Sequence, residues 1–344
     1  MRIARTVAVL TVLAASMNAA GAQTNSCAPY NQAAPTSTAS VTYDACHKGA
    51  DIFTMLVPQL GSGLAGGNTT PGQGGTLGGF PHFVIAVRAT GSPDAALPDF
   101  NAVTFNTGLP AGPAPAPSNI PIKKQAFGLA AVDAAVGIFG GINLGVGSIG
   151  GIDALVSASY IPEYTGSGIT VKADSPLSLG FGARLGLFDG TAVLPSVGVS
   201  YLQRSMPKTT IIATAGSSGT VTIKDFDLKT TSWRITASQT LLILGLNAGY
   251  GEDTYDATTS FSAVVNAGAP LNSTVNLPST SVSGKMTRTN WFVGATVNLL
   301  ILKLFGEYGQ LSGGNLATLN QFGGVNNAPN DNKTYYSAGV RIGF

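Results

Sequence analysis

The chain has 344 residues, only 10% of them charged, with 45 glycines and a formal net charge of +2. Soluble domains carry about 25% charged residues, so this chain has too little charge to cover an ordinary water-facing surface. The near balance of sign, with no run of Lys and Arg, argues against a nucleic-acid partner held by its phosphates.

Residues 1–22 read as a secretory signal peptide. Arg2 and Arg5 give a charged start, Val7 to Ala15 an apolar stretch, and Ala20-Gly21-Ala22 a small-residue cleavage site before Gln23. That stretch is too short to span a bilayer as a helix. Without Arg2 and Arg5 the 18 basic residues fall to match the 16 acidic ones. Nothing before Cys27 resembles a lipidation signal.

Residues 23–79 form an N-terminal extension, expected in the periplasm. Cys27 and Cys46 are the two cysteines, and in an oxidising compartment such a pair forms a structural disulfide. A metal or redox pair fits less well, because the spacing is not Cys-x-x-Cys and His47 is the one other soft ligand nearby. Between Asp44 and Leu60, residues Ile52, Met55, Leu56 and Leu60 recur at helical spacing, which predicts a short amphipathic helix. Gly61 to Gly79 is glycine-rich and lacks the Gly-Lys-Ser/Thr element of a phosphate loop, so it reads as a flexible tether.

Residues 80–344 alternate with period two. The most apolar part, Ala126 to Tyr160, resembles a transmembrane helix in hydropathy. Seven glycines between Ala134 and Ile152 make a helix there too costly. Strands are predicted near 80–91, 123–139, 142–160, 169–188, 192–205, 224–239, 242–256, 284–298, 301–311 and 333–344. Short turns near 140–141, 189–190, 240–241 and 299–300 alternate with long polar connections at 92–121, 162–168, 206–223, 257–283 and 312–332. Short periplasmic turns and long extracellular loops produce this rhythm. The fold class is therefore all-β, an antiparallel transmembrane barrel of about ten strands, or twelve if a long loop hides a hairpin. Aromatic girdles are expected from Phe127, Phe139, Tyr160, Tyr164, Phe188, Tyr250, Tyr255, Tyr308 and Tyr335.

The alternation is clearest at the end of the chain, where Tyr336, Ala338, Val340, Ile342 and Phe344 form one row. This terminal motif resembles the assembly signal of bacterial outer-membrane β-barrel proteins. The resemblance implies an outer-membrane location, with membrane lipid, the barrel-assembly machinery and periplasmic chaperones as partners. It does not select a functional subfamily. The helix-plus-tether extension is similar in arrangement alone to the N-terminal hatch of fatty-acid-transporter-type barrels. Three placements suit it: capping the periplasmic mouth, entering the lumen as a plug, or resting outside the barrel, with the last favoured.

Parity points Arg88, Asp133, Asp153, Arg184, Arg204, Arg234, Lys303, Glu307 and Arg341 inward, because an Arg or Lys facing lipid at mid-membrane costs about 2–4 kcal/mol. The row supports either a weakly anion-preferring conduit or a lumen filled with ion pairs. Catalysis is not expected: His47 and His82 both precede or open the first strand, leaving the outer half without a general base. No cofactor or metal is implied, although Glu252, Asp253 and Asp256 are close enough in sequence to attract Ca²⁺. Two functions fit this sequence. The leading one is porin-like passive transport of a small or apolar solute; the alternative is a structural or surface-interaction barrel with long extracellular loops and no open channel.

Overall fold

The computed structural model describes residues 27, 33–34, 37–105, 112–113, 117–145, 147–166, 168–191, 193–269, 271–326 and 328–344; the segment read as a signal peptide lies outside them. Ten strands form a ring: β1 (Phe83–Pro98), β2 (Ile122–Phe139), β3 (Ile152–Tyr160), β4 (Leu177–Phe188), β5 (Ser196–Ser205), β6 (Gly219–Leu241), β7 (Leu244–Ala267), β8 (Ser273–Leu299), β9 (Leu302–Ser312) and β10 (Lys333–Gly343). Each pairs antiparallel with its neighbour in sequence. Closure comes from β10 pairing with β1, Val340 opposite Val87. Ten strands is the lower of the two expected counts. The third begins at Ile152 rather than 142, after a small hairpin of Ile142–Asn143 with Ser148–Ile149, and the fourth at Leu177 rather than 169, since Ile169–Ala173 forms a separate strand.

Alternation sets the two faces. Along β4 the outward Leu177, Leu179, Phe181, Leu185 and Leu187 are exposed, whereas Ser178 and Arg184 are buried. In water such a wall would be an aggregation surface; against lipid it is the required one. Rings bound it above: Trp233 packs edge-on against Tyr250 (6.5 Å between centroids), and Tyr308 against both Trp291 (5.6 Å) and Tyr336 (5.4 Å). Below it, Phe83 meets Phe344 at 5.3 Å, beside the exposed turn residues Leu242 and Leu300. From Tyr336 to Phe344 the tilted strand climbs roughly 20 Å, close to the apolar band of such barrels. Phe127, Tyr255 and Tyr335 are corrections: Tyr255 and Tyr335 are buried inside the barrel, and Phe127 packs against the same interior core rather than in a girdle, because they sit one residue out of phase with the lipid-facing row.

The extension departs most from expectation. Helix α1 (Ser37–Ala65) is longer than predicted and lies within the ring of strands, touching β1, β2, β6, β7 and β8. From Ser40 to Ala65 only Thr42, His47 and Leu60 escape full burial. A helix resting outside would keep a wet face; this one is enclosed on every side. Close approach needs small residues: a Cβ on Gly61 would lie 2.8 Å from the Tyr255 ring. The placements outside the barrel and at the periplasmic mouth are therefore both overturned.

The helix also explains why strands outrun the predicted 224–239, 242–256 and 284–298. Strands β6, β7 and β8 continue about 14 to 18 residues beyond the upper aromatic ring, roughly 35–45 Å of tilted strand. The expected loops 206–223 and 257–283 are thus largely β-structure, including a hairpin strand at Thr209–Ala215 that pairs with β6. Their inward residues Ile223, Phe226, Phe261, Val265, Val282 and Met286 join Phe53 and Met55 of α1 in one core. Above the membrane only a buried helix gives those side chains something apolar to cover.

The N-terminal end of α1 lies at the long-connection end of the barrel. Cys46 is disulfide-bonded to Cys27 (Cα–Cα 5.7 Å), and Ala33–Ala34 pairs with Gly112–Pro113 from the β1–β2 loop. Since short turns mark the periplasmic side, the chain enters its own barrel from outside and leaves it at Phe83. By that rule the described part of 23–79, expected in the periplasm, lies in the lumen and at its outer end.

Candidate functional site in the barrel lumen

Below α1, residues 66–79 thread the membrane-embedded part of the lumen, held by hydrogen bonds from the wall. The backbone N–H of Asn68 donates to Glu307 (3.1 Å), that of Gly74 to Ser238 Oγ (2.7 Å), and that of Leu77 to Asp153 (3.1 Å). Thr76 donates to Asp189, Arg184 to the Thr70 hydroxyl, and Arg341 to the Pro71 carbonyl (2.6 Å). The glycine content has a steric cause: a Cβ on Gly74 would fall 2.7 Å from both the Ser196 carbonyl oxygen and the Ser238 nitrogen. The segment read as a flexible tether is the filling of a narrow lumen.

Arg88, Asp133, Asp153, Arg184, Arg204, Arg234, Lys303, Glu307 and Arg341 lie on the row opposite the exposed apolar one. All are buried except Lys303, which is half-buried. Arg88 pairs with Asp133, which also lies 3.7 Å from Arg204. Arg184 pairs with Asp153 at 2.6 Å. Arg234 pairs with Asp253 at 3.1 Å, and Asn290 donates to the same carboxylate at 2.8 Å. These pairings sit where low dielectric makes an unpaired charge costly.

Three guanidinium groups converge on the end of α1. Arg234 donates to the carbonyls of Ala65 (2.8 Å) and Gly67, Arg88 to that of Gly66, and Arg204 to that of Ala65 (3.4 Å). The last turn of a helix leaves carbonyls without partners and carries partial negative charge, and the wall supplies both donors and charge.

At its outer end α1 is fastened to loops. Asp51 accepts hydrogen bonds from the backbone N–H groups of Leu319 (3.2 Å) and Asn320 (2.7 Å) and from the Asn320 amide (2.8 Å). Burial still raises its carboxyl to about 6, against those hydrogen bonds from Asn320 and Leu319. Lys48 pairs with Asp44 and donates to the Thr104 carbonyl, at 2.8 and 2.7 Å.

Sequence reasoning missed Asp253, Asp189, Asp51 and Arg288. For Asp253 a signal existed, since alternation from the outward Tyr250 makes position 253 inward; grouping it with Glu252 and Asp256 obscured that. The strand separates the trio, with Asp253 fully buried and Asp256 exposed on the opposite face, so the three cannot share a cation. Asp51 and Asp189 had no pattern to reveal them, because their partners come from distant loops.

The two histidines are far apart in the fold. His47 packs against Tyr43 on α1 (ring centroids 4.3 Å), and His82 lies just before β1 with Nδ1 2.9 Å from the Gly79 carbonyl.

No protein-family model matches the chain, and no curated protein does. Solved structures similar to it include the beta domain of the Bordetella autotransporter BrkA (11% identity, 76% of this chain and 98% of that one, TM-score 0.33). Others are a mutant of TodX, a monoaromatic hydrocarbon channel (10%, 76% and 66%, TM-score 0.30), and a Pseudomonas aeruginosa FadL homologue (9%, 76% and 88%, TM-score 0.23). Strand number, register and lumen contents are read from this chain's own pairing. The chain itself is a closed antiparallel β-barrel of ten strands with an apolar outer wall.

Proposed function

We propose that the protein is a closed surface-interaction barrel, which anchors an extracellular β-extension and its enclosed helix in the outer membrane. The observation that carries this is how α1 is held. Val41, Ile52, Phe53, Met55, Leu56, Val57 and Leu64 are each at most 6% exposed. At about 1.5–3 kcal/mol per large apolar side chain, withdrawing the helix costs on the order of 10–20 kcal/mol. A ligand must supply about 5.5 kcal/mol of differential affinity to take a two-state equilibrium from 1:99 to 99:1. Expelling α1 therefore lies beyond an ordinary gating event. The reading includes no catalytic role.

Passive transport of a small or apolar solute is the second reading, favoured by a different observation. Residues 66–79 are held mostly by hydrogen bonds to polar wall groups, so moving this segment breaks no apolar core and leaves α1 packed. Single-channel recording of the mature chain in a planar bilayer separates the two. A closed barrel gives no discrete steps; reproducible steps from the intact chain would overturn the closed reading in favour of transport.

A further inference from the structure

The lumenal charges are not compensated evenly. Arg88, Arg204, Arg184 and Arg234 each have a carboxylate within 4.0 Å. Lys303 and Arg341, opposite each other across β9 and β10, have none among the described residues. Arg341 is 3% exposed. Its Nη1 donates to neutral acceptors, the Pro71 carbonyl at 2.6 Å and Gln73 Oε1 at 3.3 Å, and its Nε has no partner. Arg184, the other cation at this level, is committed to Asp153 and Thr70. Glu307 lies farther up β9 and accepts from Asn68 and Tyr335.

A second unpartnered donor lies in the same neighbourhood. Thr296 is 2% exposed and its hydroxyl has no partner. It stands against Gly72, next to the Pro71 carbonyl that Arg341 holds. Asn298 is opposite Lys303 across β8 and β9. Two adjacent cations, one almost fully buried, with orphaned donors beside them, lack the negative charge that low dielectric demands.

We propose that the periplasmic end of the lumen binds a small oxyanion of the phosphate or carboxylate class between Lys303 and Arg341, with the Thr296 hydroxyl as a further donor. Lys303 is half-buried next to the β8–β9 turn, so the site is reached from the periplasm. A planar guanidinium and an ammonium on adjacent strands suit the oxygens of one such anion. The site does not depend on whether the barrel is closed or conducting.

The test is titration of inorganic phosphate into the full mature chain in an uncharged detergent at low ionic strength, followed by calorimetry and ³¹P line broadening. Saturable binding is expected, weakened at least tenfold in Lys303→Gln. The surface control Lys229→Gln should bind as the unaltered chain does. Arg341 lies on the barrel-closing strand β10, where a substitution can fail to fold, so Thr296→Val serves as the second variant, with a smaller loss expected. Acetate in place of phosphate distinguishes the two sources of oxyanion. No saturable binding of either anion, or phosphate binding of equal strength in Lys303→Gln, would overturn the proposal.

Discussion

Arg234 offers the sharpest test of how the barrel holds its filling. Replacing it by Met removes the partner of Asp253 and the donors to the Ala65 and Gly67 carbonyls at the end of α1. Asp253 is fully buried and would keep the Asn290 amide as its hydrogen-bond donor. Breaking a buried pair from one side costs about 3–5 kcal/mol, because the surviving charge stays buried. Adding Asp253→Asn removes that charge, so Arg234→Met/Asp253→Asn should recover about 1–3 kcal/mol relative to the sum of the single variants. The helix carbonyls remain unsatisfied, so recovery should be partial. The assay is denaturant unfolding of the four proteins in detergent, followed by the near-ultraviolet signal of the buried aromatics. Strict additivity would refute the reasoning, since it would mean that the two side chains do not sense each other across the lumen.

Three further outcomes follow from other contacts. Asp51 has a carboxyl raised to about 6 from an ordinary 3.8, so the folded state binds its proton more tightly than the unfolded one. Its contribution to stability should therefore grow as pH falls from about 6 and be complete below about 4. The size is about 3 kcal/mol at 1.36 per unit, and a pH series of unfolding midpoints should show Asp51→Asn without that component. Gly74→Val places a branched side chain against the Ser196 and Ser238 backbone; it should lower the unfolding midpoint by several degrees, and an unchanged midpoint would argue against a threaded lumen. An epitope placed just before Cys27 should be labelled by antibody on intact cells, because Cys27 is tied to the outer end of α1; labelling only after permeabilisation would reverse the topology.

The outer wall was legible in the sequence because lipid imposes a strict rule. A strand between hydrocarbon and a polar interior must alternate residue by residue, so Leu177, Phe181 and Leu185 could be told from Ser178 and Arg184 without a fold in hand. The same rule placed Arg88, Asp133, Arg234 and Arg341 inside. The two cysteines followed from their number and compartment. By contrast, the place of α1 was not legible. A helix enclosed on all sides is held by residues far away in sequence, such as Tyr255, Phe261 and Met286, and its local pattern predicted only an amphipathic segment with one wet face. Glycine at 72, 74 and 75 read as flexibility, and only the tertiary structure shows that it meets a steric limit. The length of β6, β7 and β8 was hidden for the same reason, since a polar Ser/Thr-rich stretch becomes a strand above the membrane only when a buried helix gives its inner face a core. Periodicity records which face of a strand meets lipid; what fills the space behind it depends on contacts that no local spacing encodes.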